Sequence, residues 1–366
     1  MRLIRLSLAN FRNYIELEIE PSAGLNVFVG ANAQGKSNLL EAIAMLGTGK
    51  SFRTANEGDV IRNGMQLATI TGDAEVRAGV VRLSCTVSTT ARGTRKLYGI
   101  NGQGVQYASF LGRARVVTFI PADLHLVSGS PAGRRGMLNT ALAQEQPLYY
   151  RELARYRKTL QQKNALLRSE SIDDDLLAIY NRTLIDSGTA LMLARNHFTM
   201  ALADAARNVH AMWSGGTESL EIRYAPNVAF ELPTADAIVA AFSDRLRERA
   251  EAERVRKASL VGPHRDDLHL NVNGIALSAY GSQGQQRTAV LALKVAEYTV
   301  MRERSGEAPL LLLDDVFSEL DAARARAFLD EIGTFEQVFV TTTQVPAHFD
   351  VARVWNVDHA TLVEAA

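Results

Sequence analysis

Leu25-Asn-Val-Phe-Val-Gly30-Ala31-Asn32-Ala33-Gln34-Gly35-Lys36-Ser37 runs on through Asn-Leu-Leu-Glu-Ala-Ile-Ala-Met-Leu46. A short apolar run leads into a loop bounded by glycines, Gly30 to Gly35, followed by Lys36-Ser37. Leu39, Leu40, Ile43 and Leu46 then recur at helical spacing. Strand, glycine loop and helix in that order are the context of a P-loop. Gly30 and Gly35 permit a turn that aims the successive backbone N–H groups of the loop, Ala31, Asn32, Ala33 and Gln34 included, at phosphate oxygens. The new helix adds its positive end, Lys36 is placed to reach the β- and γ-phosphates, and the Ser37 hydroxyl can ligate Mg²⁺. This stretch predicts binding of a nucleoside triphosphate, ATP with Mg²⁺ as the reference case.

Two distant segments complete that chemistry. Leu310-Leu-Leu-Leu313 is a buried-strand run that ends in Asp314-Asp315. Asp314 is expected to hold Mg²⁺ opposite Ser37, and Asp315 to orient or deprotonate the attacking water. Alone, an apolar run ending in acids is a weak signal; beside a P-loop it is strong. Asp rather than Glu at position 315 shortens the reach by one methylene, so slow hydrolysis is expected, below the enzyme median of about 10 per second. Between these segments, Tyr280-Gly-Ser282-Gln-Gly284-Gln285-Gln-Arg287 opens a helix. Ser282, Gly284 and Gln285 at that helix start suit an anion. The P-loop already serves one phosphate face, so this second start is expected to meet the nucleotide of another subunit, with ATP as the glue of a two-fold dimer. Its plain alternative is a helix cap. Arg53, in the basic loop Lys50-Ser-Phe-Arg53-Thr, is a further candidate for contact with the nucleotide.

Composition narrows the classes. The 366 residues are 47% hydrophobic and suffice for two or three domains. Lys+Arg and Asp+Glu both number 40, so bulk charge announces no polyanion and a nucleic-acid partner would need a local basic patch. One cysteine, Cys85, excludes an internal disulfide and suits a reducing compartment. It lies in the alternating run Val81 to Val87 and reads as a core residue. No apolar run is long enough to span a bilayer, and the amino terminus lacks a signal peptide's apolar block. A cytoplasmic protein without membrane contact is expected.

Ile4, Leu6 and Leu8, then Ile15, Leu17 and Ile19, alternate as two half-buried strands around Asn10 to Tyr14. Gly47 and Gly49 read as stops for the P-loop helix. Leu67 to Asn101 suggests an antiparallel sheet. Texture changes at Pro121: Ser130-Pro131 and Pro147 open helices, and Asp173 to Trp213 reads helical except at Gly188. Thr234 to Lys257 is another helix. Alternation then returns at Leu268 to Val272 with the turn signal Asn273-Gly274. The fold class expected is α/β, a P-loop ATPase head with an antiparallel β subdomain. The segments are 1–120 for the first part of the head, 121–257 for an inserted helical arm, and 258–366 for the rest of the head.

Together these elements resemble the ATP-binding-cassette head in the branch of SMC-like DNA-repair ATPases, and the RecF family in particular, over the whole chain. Leu8-Ala-Asn-Phe-Arg-Asn-Tyr14, Gly49-Lys-Ser-Phe-Arg-Thr54 and Leu126-Val-Ser-Gly-Ser-Pro131 through Arg134-Arg135 carry the likeness. So do Gly262-Pro-His-Arg-Asp-Asp267 and Ser282-Gln-Gly-Gln-Gln-Arg287, while Ser318-Glu-Leu-Asp321 looks like the loop that contacts the opposite subunit. Departures are Asn139 and Ala122, where acids are expected, and Thr341-Thr-Thr-Gln344 where most cassette ATPases carry a switch histidine; this leaves the γ-phosphate sensor unassigned, with Thr343 and Gln344 as candidates. The resemblance implies an ATP-induced homodimer that binds single-stranded and gapped DNA. It also implies work with RecO and RecR to load RecA, support of the SOS response, and slow ATPase activity. Arg134, Arg135, Arg151, Arg155, Arg157 and Lys158 could form a phosphate-tracking patch; a solvated face offset by Asp173 to Asp175 is the alternative. No groove-reading motif is visible, so sequence-specific binding is not expected. His264 and Arg265 read as structural or interface residues. Competing readings are the ATPase subunit of a membrane transporter, which shares the head, and a P-loop kinase or small-molecule NTPase, which needs no ATP-dependent dimer.

Overall fold

Residues 1–91, 93–319, 322–345 and 353–365 are described in the structure, a computed structural model. The chain forms two compact units, Met1–Leu124 with Val290–Ala366, and His125–Ala289. The first unit begins with β1 (Arg2–Phe11), β2 (Tyr14–Ile19), β3 (Gly24–Val29), α1 (Lys36–Thr48), β4 (Leu67–Val76), β5 (Gly79–Thr90), β6 (Gly93–Ile100), β7 (Gln103–Val105), α2 (Tyr107–Phe110) and β8 (Val116–Phe119). The second contains α3 (His125–Ser128), α4 (Pro131–Glu145), α5 (Pro147–Arg168), α6 (Asp174–Trp213), β9 (Leu220–Ala225), α7 (Ala235–Arg256), β10 (Asp267–Val272), β11 (Ile275–Ala276) and α8 (Leu277–Tyr280). Helix α9 (Gln283–Ser305) returns the chain to the first unit, followed by β12 (Leu310–Asp314), α10 (Ala322–Ile332), β13 (Gln337–Thr342), β14 (Arg353–Asp358) and β15 (Thr361–Glu364).

Two six-stranded sheets build the first unit. One is antiparallel, in the order β2-β1-β4-β5-β6-β7; the other runs β15-β14-β3-β13-β12-β8 and is parallel except for β15. The parallel strands are apolar without alternation because both faces are covered: Leu310 to Leu313 are all buried, as are Val338 to Val340. Helix α1 touches strands of both sheets, and Leu39, Leu40, Ile43 and Leu46 share one core with Leu6, Phe11, Phe28, Leu312 and Phe339. Two expectations at the edge of this core are corrected. A bulge between Leu3 and Arg5 turns Leu3 inward in place of Ile4, and Ile15 is 63% exposed while Tyr14 takes the buried position. Gly47 is not a stop, because α1 continues to Thr48 and ends at Gly49 with φ 65°. A Cβ at Gly47 would lie 2.7 Å from Val116, so that glycine is there for close packing on β8.

In the second unit α6 is continuous for 40 residues. Gly188 does not interrupt it; a Cβ there would meet the Phe242 ring at 2.6 Å, so the missing side chain lets α7 close on α6. The three expected sequence segments also differ from these units at one boundary. Residues 258–289 pack with the helices because β9, a strand within the mostly helical segment 121–257, pairs along its whole length with β10. Asn273 and Gly274, both at positive φ, then turn the chain into β11.

Candidate nucleotide site

β3 delivers the chain into the loop 30–35, and α1 carries it away. A Cβ at Gly30 would lie 2.3 Å from the Val357 carbonyl oxygen, so β14 leaves room for hydrogen only. Gly35 takes φ 115°, and Ala33 is a left-handed non-glycine residue at φ 66°. No side chain caps α1. Its first N–H groups are thus open to an anion. The loop is gripped by residues whose part the sequence did not announce. Asn13 Nδ2 donates to the Gln34 carbonyl at 3.1 Å, and the Tyr14 hydroxyl donates to the Gly35 carbonyl at 3.2 Å. From the β14–β15 turn, the His359 N–H donates to Gln34 Oε1 at 2.7 Å and the Ala360 N–H to the Gln34 carbonyl at 3.1 Å.

Lys36 is buried and its ammonium lies on its own loop, donating to the carbonyls of Gly30 and Ala31 at 2.6 and 2.7 Å. Burial lowers its pKa from the ordinary lysine value, against the pull of Asp315 and Asp314. The Ser37 hydroxyl donates to Asp314 Oδ1 at 2.7 Å, joining positions 277 residues apart. Thr341 Oγ1 donates to the same oxygen at 2.7 Å and accepts the Asp315 N–H at 3.0 Å. Thus Thr341, the first residue of the run that replaces the switch histidine, braces both acids. Thr343 and Gln344 are exposed beyond the end of β13. Asp315 itself sits at φ 50°, a left-handed conformation that Asp tolerates better than most side chains. A hydroxyl and a carboxylate at hydrogen-bond distance are the donor set of a hard cation such as Mg²⁺. Among the described residues no cluster of three or more His, Cys, Asp or Glu could hold a metal. A cation here would therefore also need oxygens from a phosphate.

Arg53, itself exposed, belongs to a brace beneath the loop that is anchored on buried Glu41. Its guanidinium donates to Asn38 Oδ1 and lies 4.0 Å from Glu41, while Asn38 Nδ2 donates to Asn13 Oδ1 at 2.7 Å. Glu41, on α1 and fully buried, takes a two-pronged ion pair from Arg12 at 2.6 and 2.8 Å and a bond from Ser51 Oγ. Sequence reasoning passed over Glu41; a carboxylate on the apolar side of the P-loop helix was the available signal.

Ser282, Gly284 and Gln285 belong to the second unit. Ser282 and Gln285 form a capping box: the Ser282 N–H donates to Gln285 Oε1 at 2.9 Å and the Gln285 N–H to Ser282 Oγ at 3.2 Å. The plain reading, a helix cap, is therefore part of what they do. Since Ser282 Oγ accepts in that bond, its own O–H stays available to donate. Gln285 Nε2 is committed to Glu218 at 2.8 Å.

The expected basic patch is smaller than its sequence. Arg134 is buried in a two-pronged pair with Asp267 at 2.6 and 2.9 Å, and Arg135 donates to the Asp266 carbonyl at 2.7 Å. Arg151, Arg155, Arg157 and Lys158 are exposed on α5. Asp174 pairs with Arg254, away from this set. Asn139 Oδ1 accepts from Arg195 at 3.0 Å and from the Tyr149 hydroxyl at 2.6 Å, bonds an amide makes without adding a buried charge. His264 is structural: Nδ1 bonds the Tyr156 hydroxyl at 2.7 Å, and burial pulls its pKa down to about 4. The side chains of Ser318-Glu-Leu-Asp321 fall outside those described. Among the described residues no helix is long and apolar enough to cross a membrane.

Known proteins share this arrangement. The family described as RecF/RecN/SMC N terminal domain matches residues 2–361. The DNA replication and repair protein RecF of Acaryochloris marina is 40% identical over 354 residues, 95% of this chain and 94% of its own. Its namesake from Thermosynechococcus vestitus is 42% identical over 349 residues, 94% of this chain and 91% of its own. A solved structure of the recombination mediator protein RecF-ATPrS in the RecFOR pathway superposes with a TM-score of 0.92 at 30% identity, covering 100% of this chain and 98% of that one. The Smc head domain of Pyrococcus furiosus, at TM-score 0.59 and 16% identity, shares the fold. The P-loop on one strand of the parallel sheet, the paired acids on another, and these matches along nearly the full length place the chain in the RecF family, an ATP-binding-cassette type of P-loop head with a mostly helical insertion.

Proposed function

We propose that the chain is an ATP-controlled DNA-binding protein of DNA replication and recombinational repair. The observation that carries the reading is the Ser37–Asp314 bond between loop and acid strand, in a chain whose relatives are named for replication and repair. In this reading the loop N–H groups from Gly30 to Gly35 cradle the phosphates of ATP. Lys36 leaves its two carbonyls for the nucleotide, and Arg53 reaches toward it from the Glu41 brace. Mg²⁺ between Ser37 and Asp314 would supply charge neutralisation at the phosphates. Asp315 orients or deprotonates water, and hydrolysis is slow, a switch rather than a source of work.

Ser282, with Gly284 and Gln285 at the start of α9, completes the site of a second copy, so that ATP closes a homodimer. Residues 1–120 and 290–366 serve as the head, and 121–257, with the 258–289 segment that folds onto its helices, as the arm. The dimer binds single-stranded and gapped DNA without sequence preference, acts in the cytoplasm with RecO and RecR to help load RecA, and supports SOS induction. Exposed Arg151, Arg155, Arg157 and Lys158 on α5 are its phosphate contacts. The transporter alternative has no observation in its favour.

The test is a DNA titration with a non-hydrolysable ATP analogue on gapped and blunt duplexes at two salt concentrations. Binding should need the analogue, weaken with salt, and vanish in Lys36→Ala. Equal binding by wild type and Lys36→Ala, with or without analogue, would refute the reading.

A further inference from the structure

The first unit carries a second concave surface at the far end of its parallel sheet. A groove of 420 Å³ runs between the β4–β5 turn and the segments that enter β8 and β12. Arg113 and Arg115 precede β8, and Glu307 precedes β12, so the groove lies at the N-terminal edge of the strands; the P-loop and Asp314 lie at the C-terminal edge. At about 3.3 Å per residue, the five residues of β12 separate the two by roughly 16 Å. An occupant here leaves the nucleotide site open.

The lining is unbalanced in charge. Arg77, Arg113 and Arg115 share it with one acid, Glu307. Glu307 takes the Arg77 backbone N–H on one oxygen and Arg115 Nη1 at 3.3 Å on the other. Arg113 spends its Nε on the Ser109 carbonyl at 3.1 Å. Among the described residues, neither the Arg77 nor the Arg113 guanidinium has an acidic partner. The Arg115 Nε–H is buried and without an acceptor there. Guanidinium forks fit carboxylates in particular. Val80, 60% exposed on the rim, and half-buried Ile100 add an apolar side to the same groove.

We propose that this groove is a docking site for a short acidic segment of a partner protein, which sets carboxylates on Arg77, Arg113 and Arg115 and an aliphatic side chain against Val80. Charge complementarity selects the acid, and the exposed valine selects a peptide over nucleic acid. A phosphate backbone carries no aliphatic side chain to set against Val80.

The test is fluorescence anisotropy of the full chain with a fluorescein-labelled Leu-Asp-Asp-Asp-Leu peptide and a Leu-Asn-Asn-Asn-Leu control. The acidic peptide should bind about tenfold or more tightly than the amide control, and less tightly at high salt. Arg113→Glu and Arg77→Glu should each weaken it by about tenfold, and Val80→Asp should weaken it too. All three variants should keep the rise in melting temperature given by ATP, which separates this site from the nucleotide site. Equal binding of the two peptides, no binding of the acidic one, unchanged binding by Arg113→Glu and Arg77→Glu, or displacement of the peptide by a single-stranded oligonucleotide would overturn the proposal.

Discussion

At Gly30 the chain has no room for a methyl group. The Val357 carbonyl oxygen stands 2.3 Å from where a Cβ would be, and that oxygen belongs to β14, which is hydrogen-bonded to β3 and cannot yield alone. Gly30→Ala should therefore push the loop off its strand, at a cost of about 1–3 kcal/mol. Thermal melts with and without ATP read both consequences: a lower melting temperature, and a much smaller rise on adding nucleotide, since only ligand bound to the native state stabilises it. A variant that melts like wild type and gains equally from ATP would show that the loop has slack the geometry denies. The glycine-bounded loop, Lys36, Ser37 and the acids after Leu313 stand out in the sequence because phosphate chemistry admits few residue types at fixed spacing. What grips the loop is illegible there. Asn13, Tyr14 and His359 act through positions that only the folded strands bring near, and a side chain bonding a distant carbonyl leaves no periodicity.

Elements show the same divide between local and distant causes. Pro131, Pro147 and the alternation of β10 are local signals, and the helices and strand stand where those signals put them. Gly188 misleads, because a glycine within a helix reads as a break unless the Phe242 ring that fills its place is known. Ile4 misleads because a bulge changes the face that alternation assigns. One buried contact in the second unit also makes a pH prediction. His264, bonded to Tyr156, has its pKa pulled from the ordinary 6.5 to about 4 by burial. The unfolded chain thus takes up the proton first, so the stability held above pH 6.5 is lost as pH falls from about 6.5 toward 4. Between pH 7 and pH 5 this one group should cost up to about 2 kcal/mol. Chemical denaturation at both pH values should find the loss in wild type and a loss smaller by about that amount in His264→Asn. Equal losses in the two proteins would assign the acid sensitivity elsewhere.

For the whole molecule, each chain supplies one P-loop and one α9 start, and the proposed dimer needs both kinds of half in each of its two sites. Ser282 remains able to donate its O–H to an incoming phosphate while its oxygen caps α9, so replacing it should leave the P-loop of the same chain untouched. Ser282→Arg is expected to bind ATP nearly as wild type does, yet to stay a monomer by light scattering and to lose hydrolysis. Lys36→Ala should fail at the earlier step and not bind ATP. Mixing the two inactive proteins gives the decisive case. A mixed dimer pairs the intact P-loop of Ser282→Arg with the intact α9 start of Lys36→Ala, which restores one complete site and leaves the other doubly broken. The mixture should therefore regain a fraction of wild-type turnover, rising with total protein concentration, where neither parent has any. If the mixture stays silent while Ser282→Arg alone dimerises with ATP, the halves do not come from different chains, and Ser282 is a helix cap with no part in the nucleotide site.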